Sequence, residues 1–204
     1  MQEHATEREL KDRLSLIESM IAEGRRTTES WGWTFVLWGV AFCVAIAWNI
    51  WGHNVWAWPA TIATAIIVTI VAASFERRHH PKTTLGRAIS SIWIALGVSM
   101  FLLFMALGLS GRLTDAHIFI SVASAILGLA NGASGLLLRW KIQFACAIVW
   151  WAAAVAASFG TETQSMIVLL VAIFLCQIVF GIYGMIAEAQ ARKRHRTHDG
   201  LAHA

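Results

Sequence analysis

The sequence predicts an all-α integral membrane protein, in which a cytoplasmic amphipathic helix precedes six transmembrane helices and both termini face the cytoplasm. Composition is the first reason. Hydrophobic residues make up 57% of the 204 residues, and charged residues make up 14%, against about 25% in soluble domains. The second reason is that the apolar residues form six long unbroken runs, whereas a porin-like barrel would show short alternating segments.

Each apolar run is bounded by charged residues and is long enough to cross a hydrocarbon core of about 30 Å as a helix. The predicted spans are 31–51, 56–75, 88–109, 117–138, 142–159 and 165–187. They divide the chain into a head of residues 1–30, a six-helix bundle of residues 31–188 and a basic tail of residues 189–204.

The lysines and arginines predict the orientation, because short connections that carry them stay on the cytoplasmic side. Fifteen of the 16 lie in the head, the second connection, the fourth connection or the tail, and Arg112 is the exception. We therefore expect both termini in the cytoplasm and a location in the inner or plasma membrane of the cell.

The net charge of +4 follows from this distribution of cations around the spans. We therefore expect no nucleic-acid partner. The expected partner of the basic residues is the anionic headgroups of the inner leaflet, above all for the tail sequence 192–196.

The head has the pattern of an amphipathic helix, because its apolar residues recur at intervals of four, three and four. These residues are Leu10, Leu14, Ile17 and Ile21. Three uses fit such a helix: it can lie on the inner leaflet, pair with a second copy in a homo-oligomer, or cap the inner mouth of the bundle. Gly24 and the polar residues after it predict a break between this helix and the first span.

The interiors of the predicted spans contain no Lys, Arg, Asp or Glu, and no His near a span centre. Ion-coupled carriers need such ionisable groups within the membrane, and a bis-histidine haem needs imidazoles there. Cys43, Cys146 and Cys176 lie within spans and lack the spacing of a zinc site or a disulfide framework. We expect no cofactor, no metal site and no catalytic residue.

One motif in the fourth span concerns catalysis. Gly132-Ala133-Ser134-Gly135 resembles the Gly-x-Ser-Gly nucleophile element of rhomboid intramembrane proteases, which implies Ser134 as a nucleophile. In that family a histidine on the sixth span activates the serine. The sixth span here has no histidine, and its central polar residue is Gln177, so we expect no protease activity.

Small and polar residues line one side of the fourth span and one side of the sixth. They are Ser124, Gly128, Asn131 and Gly132 on the fourth span, and Gln177, Gly181 and Gly184 on the sixth. Their depths coincide when counted along each helix at about 1.5 Å per residue. We therefore predict that Asn131 and Gln177 form a hydrogen bond where the two spans pack closely. Both amides would alternatively line a small neutral polar pocket.

The second connection, residues 76–87, is the longest internal one and is a candidate contact for a cytoplasmic protein partner. Its candidate residues are Arg77, Arg78, His79, His80 and Lys82. A head helix followed by six spans with this long loop resembles the layout of ABC-2-type exporter permeases, and that resemblance implies that the loop contacts an ATPase subunit. Those permeases carry a larger re-entrant element before the last span, where this chain has only residues 160–164.

Together these observations predict a multi-pass inner-membrane protein without catalytic activity, acting as a partner-dependent accessory, sensory or scaffold subunit. The alternative is a permease for a small neutral, apolar or lipid-like solute. An intramembrane enzyme of unrecognised type is a third, more remote interpretation.

Overall fold

The architecture is known from a computed structural model that describes residues 2–52, 56–77, 84–110 and 116–202. In these ranges the chain is 95% helical and contains no strand, which confirms the all-α class. The helices are α1 (Gln2–Ser30), α2 (Gly32–Gly52), α3 (Ala57–Arg77), α4 (Thr84–Leu109), α5 (Ala116–Leu137), α6 (Lys141–Phe159), α7 (Glu162–Ile173), a π-helix (Phe174–Val179) and α8 (Phe180–Ala202).

Five helical stretches of the described residues are long and apolar enough to cross a membrane. They are Ala57–Phe75, Leu85–Leu107, His117–Leu137, Lys141–Phe159 and Glu162–Gln190. Helices are expected for these sequences, because hydrocarbon offers the backbone no hydrogen-bond partners. The first predicted span coincides with α2, whose apolar stretch Gly32–Trp48 is shorter. Its status as a sixth span, like the orientation of the chain, stays a prediction.

The last predicted span is built from α7, the π-helix and α8, which follow one another without a turn. Thr161 caps its start: Thr161 Oγ1 accepts a hydrogen bond from the Gln164 backbone N–H at 3.4 Å, and Gln164 Oε1 accepts one from the Thr161 N–H at 2.8 Å. This reciprocal capping satisfies two of the free N–H groups at the helix start. This cap therefore fixes where the last helix begins, just before the predicted span.

The core of the fold is the antiparallel hairpin of α5 and α6, the most extensive pair in the described residues. Its connection is only three residues long and is closed by a 2.8 Å hydrogen bond from the Trp140 N–H to the Gly135 carbonyl. Arg139, in that connection, has a φ of 48°. The π-helix packs on α6, where Cys176 Sγ donates to the Cys146 carbonyl at 3.6 Å.

The remaining helices surround this core, and they differ in how much of their surface is buried. α2 packs against the π-helix and α8, α3 packs against α2, and α4 packs against α5. Phe35 of α2 meets the Trp93 ring of α4 and the Phe180 ring of α8 edge-on, with ring centroids 5.1 Å apart in each case. In the spanning stretches of α3 and α4 only 6% of the most apolar 18 consecutive residues are buried, compared with 56% in α5.

The head helix α1 is continuous through Gly24 and ends at Ser30, and one residue, Trp31, separates it from α2. The predicted break at Gly24 is therefore wrong. A Cβ at this position would lie 2.7 Å from Leu85 Cδ2 and 3.0 Å from Leu138 Cδ2, so the missing side chain lets α1 pack against α4 and the end of α5. This tertiary contact overrides the low helix propensity of glycine.

Candidate functional site

The small residues of α5 pack against α6. A Cβ on Gly128 would overlap the Trp151 indole, and one on Gly132 would lie 3.0 Å from Trp151 Cη2. One on Gly135 would lie 2.8 Å from the Phe144 backbone nitrogen. The glycines therefore allow α6 and its large aromatic residues to approach the α5 backbone.

The small residues of the last span pack against α2. A Cβ on Gly181 would lie 2.7 Å from the Gly32 carbonyl oxygen, and one on Gly32 would lie 3.2 Å from the Gly184 carbonyl carbon. Further along, a Cβ on Gly39 would lie 2.9 Å from Gln177 Cβ. Gln177 thus faces α2. The ridges of small residues on α5 and on the last span, which were predicted to meet, therefore pack against different helices: the first against α6 and the second against α2.

The predicted hydrogen bond between Asn131 and Gln177 is wrong. Asn131 Nδ2 donates to the Leu127 carbonyl of its own helix at 2.9 Å, and Asn131 Oδ1 has no hydrogen-bond partner. The physical reason is the short α5–α6 connection, which places α6 against the glycine ridge of α5. α5 also contacts α7, but the atoms nearest to Gly128 and Gly132 belong to α6. A ligand pocket at these residues stays a prediction.

Several polar atoms in the interior of the α5–α6 hairpin are fully buried and have no hydrogen-bond partner within the protein. They are Ser124 Oγ, Asn131 Oδ1, Ser134 Oγ, Gln143 Oε1 and Nε2, Trp140 Nε1 and Trp150 Nε1. Buried polar atoms in folded proteins are nearly always paired, because leaving one unpaired costs about 1–3 kcal/mol. This group is the most unusual polar feature of the described residues.

Four of these residues form what we call the interior polar set: Asn131, Ser134, Gln143 and Trp150. The glycine contacts fix the hairpin register, since Gly132 lies opposite Ala147. With a rise of about 1.5 Å per residue, Ser134 is then within about 3 Å in height of Gln143, and Asn131 within about 3 Å of Trp150. The set offers neutral donors and acceptors and carries no charged group.

Sequence reasoning identified Asn131 and missed Gln143, although Gln143 is completely buried. Gln143 is two residues from Lys141, at the end of its predicted span, where polar residues are common. A signal was available: residues 143, 146, 147 and 150 share one helix face by spacing, and the other three are apolar.

A second polar contact, also missed from the sequence, joins three helices at the opposite end of the hairpin. His117 Nδ1 and Ser165 Oγ are 3.0 Å apart, and each lies 3.0 Å from the Ala157 carbonyl oxygen. This carbonyl, at the end of α6, is the shared acceptor. The Ser165 hydroxyl donates to this carbonyl, and the contact ties α5, α6 and α7 together.

The end of the bundle that carries Arg139 and Lys141, here called the basic end, is covered by α1. The Arg25 guanidinium lies 5.2 Å from the centre of the Trp140 ring, and Trp140 is only 2% exposed. Such a cation–π contact contributes about 0.5–2 kcal/mol. The C-terminal part of α1 therefore packs on the bundle. Of the three predicted uses of α1, the one that required such a contact is capping the inner mouth of the bundle.

The predicted partner loop is largely outside the described residues. Arg77 ends α3, and Arg78, His79, His80 and Lys82 lie in the undescribed residues 78–83. Within the described ranges, no group of three or more His, Cys, Asp or Glu side chains is arranged to hold a metal ion.

No protein-family model matches the chain, and neither a curated protein nor a solved structure does. The class must therefore be defined by fold and composition alone. It is an all-helical bundle in which five helices are long and apolar enough to span a membrane.

Proposed function

We propose that this protein is a six-span subunit of the cytoplasmic membrane, without catalytic activity of its own, that acts by assembling with a partner membrane protein along α3 and α4. The observation that carries the proposal is the unequal burial of the spans. Of the most apolar 18 consecutive residues, only 6% are buried in α3 and in α4, whereas 56%, 33% and 44% are buried in α5, α6 and the last span.

Exposed apolar surface alone does not drive helices together in lipid, because lipid tails are equally apolar. Small residues do favour association, since they let two backbones approach and pack. On α4, Ser91, Ala95 and Ser99 follow one another at intervals of four, and all three are exposed. The same spacing on α5 is covered by α6, so α4 carries an uncovered counterpart of the ridge that holds the core together.

The predicted partner loop is a second reason to propose an interface along α3 and α4. Residues 78–83 connect α3 directly to α4, so a partner that packs along both helices would also contact Arg78, His79, His80 and Lys82 at one end. On the predicted orientation, this end faces the cytoplasm. Membrane-embedded packing and a cytoplasmic contact would then belong to one interface.

The test is site-specific photo-crosslinking in native membranes. A benzophenone amino acid is placed at Val98 of α4, which is 54% exposed, and in a matched variant at Val155 of α6, which is 61% exposed. We expect a discrete protein adduct from position 98, identified by mass spectrometry, and only lipid adducts from position 155. Equal adducts at both positions, or lipid alone at both, would contradict the proposal.

A second candidate function is a permease for a small neutral solute, and the interior polar set favours it. Gln143 has both amide atoms buried without a hydrogen-bond partner in the protein, and they supply one donor group and one acceptor for a neutral solute. In vesicles containing the purified protein, glycerol flux measured by light scattering should then fall to background in the Gln143→Leu variant. If the protein does not conduct, the wild type shows no flux, and the same substitution raises stability because it removes two unpaired polar atoms.

A further inference from the structure

The N-terminal half of α1 has an uncovered apolar stripe. Leu10, Leu14 and Ile17 are 59%, 53% and 53% exposed. The same helix face continues to Gly24 and Thr28, which are buried against the bundle. One face of a single helix is thus covered by the protein's own bundle at one end and bare at the other.

The stripe has the spacing of a coiled coil. Leu10 and Ile17 occupy d positions of a heptad repeat, and Leu14 and Ile21 occupy a positions. We propose that a second copy of this chain covers the stripe, with the two α1 helices forming a parallel two-stranded coiled coil over residues 10–21. This goes beyond the proposed function, because the stripe of residues 10–21 is not part of the α3–α4 surface.

The charges beside the stripe favour a parallel pair of identical helices. In the same heptad numbering Arg13 is a g residue and Glu18 is the e residue of the next heptad, the two positions that meet across a parallel coiled coil. A two-fold pair therefore forms two Arg13–Glu18 ion pairs. Within its own helix Arg13 pairs with Glu9 at 2.6 Å, and both side chains are largely exposed, so this pair does not bury the Arg13 charge.

The charge of the head disfavours the lipid surface as the occupant. Residues 1–23 contain three Lys or Arg and six Asp or Glu. A helix with this excess of negative charge is repelled by anionic headgroups, which attract basic helices. The apolar stripe is therefore better covered by a protein surface with matching charges than by the inner leaflet.

Two heptads form a weak coiled coil between free peptides, because short helices are marginally stable in water. Here each α1 is attached to a membrane bundle, and confinement to one membrane raises the effective concentration of the second copy. A two-fold axis along the membrane normal relates two bundles of the same orientation. The proposed pair requires each α1 to run along that axis, because only then are the two helices parallel.

Disulfide crosslinking of the full-length protein in native membranes tests the proposal. In a parallel coiled coil, residues at an a position face their counterparts, whereas residues at an f position point away. We expect the Leu14→Cys variant to form a disulfide-linked dimer on mild oxidation and the Ser19→Cys variant, at an f position, to remain monomeric. The wild type, with its three native cysteines, gives the background.

Charge exchange provides the second measurement. We expect Arg13→Glu to lower the Leu14→Cys dimer yield by about three- to tenfold, because two exposed ion pairs of modest strength become repulsive. Adding Glu18→Arg should restore it. Equal crosslinking at positions 14 and 19, no crosslinking at position 14, or no rescue by the double exchange would each overturn the proposal. A dye on the thiol of the Leu14→Cys variant whose emission shifts to the blue only with anionic vesicles would assign the stripe to lipid instead.

Discussion

The two helices of the α5–α6 hairpin and the helices α3 and α4 are similar in length, helicity and apolar character, yet the buried fraction of α5 is about nine times that of α4. α4 is even the more apolar of these two helices. Hydrophobicity therefore determines which segments can enter the membrane, but it does not determine which of them pack together.

Side-chain size accounts for the difference. In α5 every fourth residue of the ridge is small, and the large residues of α6 fill the resulting groove, as Trp151 does against Gly128 and Gly132. In α4, Gly97 has no atom within 4 Å of where its Cβ would be. A small residue without a complementary large one across the interface leaves the helix on the periphery.

The largest change in stability should come from adding a methyl group to the glycine ridge of α5. Gly128→Ala places a Cβ on the Trp151 indole, and we expect a loss of about 1–3 kcal/mol in the free energy of unfolding, as for other overpacked cores. The measurement is unfolding in mixed micelles of increasing dodecyl sulfate content, followed by tryptophan fluorescence.

Gly97→Ala is the matched control for that substitution. It makes the same chemical change in α4, where there is open space, and should leave stability unchanged or raise it by up to about 1 kcal/mol through helix propensity. Equal losses in the two variants would mean that packing does not distinguish the two regions.

An intermediate effect is expected where α2 meets α8. Gly32→Ala and Gly181→Ala each direct a methyl group at the backbone of the other helix, and each should cost about 1–2 kcal/mol. Because either substitution alone separates the helices, the double variant should cost less than the sum of the two. Strict additivity in the same unfolding assay would show that the two glycines do not share one contact.

The smallest effect is expected where α1 packs on the basic end of the bundle. Arg25→Gln removes the cation above the Trp140 ring and should lower stability by about 0.5–1 kcal/mol. Lys141→Gln removes a cation at the same end from an exposed side chain and should change stability by less. If the lysine variant proves the more damaging one, net charge at the basic end is what matters, and the ring contact is not.

The positions of the helices could be predicted from the sequence, because apolar runs in lipid must satisfy their backbones internally. Helix α6 at Lys141–Phe159 differs from its predicted span by one residue. The partner of each ridge could not be assigned in this way, since a stripe of small residues fits any close neighbour. The three-residue connection between α5 and α6 did contain the missing information, because it forces those two helices together.

The site illustrates a second limit. Depth along a helix placed Asn131 and Gln177 at the same level, but depth does not tell which way a side chain points. A π-helix contains more residues per turn than an α-helix, so it changes the direction of every later side chain. Gln177 lies within the π-helix and faces Gly39, and no residue type in the sequence marks that local change.

The contact between Gly32 and Gly184 also has a consequence for biosynthesis. These residues are about 150 positions apart, and at roughly 5–20 residues per second the ribosome needs on the order of ten seconds to make the chain between them. During that interval α2 and its neighbour α3 are already synthesised, while α8, another helix that packs on α2, does not yet exist. A nascent chain of this kind needs lipid, the translocation machinery or a chaperone beside its first apolar helix until the last one emerges.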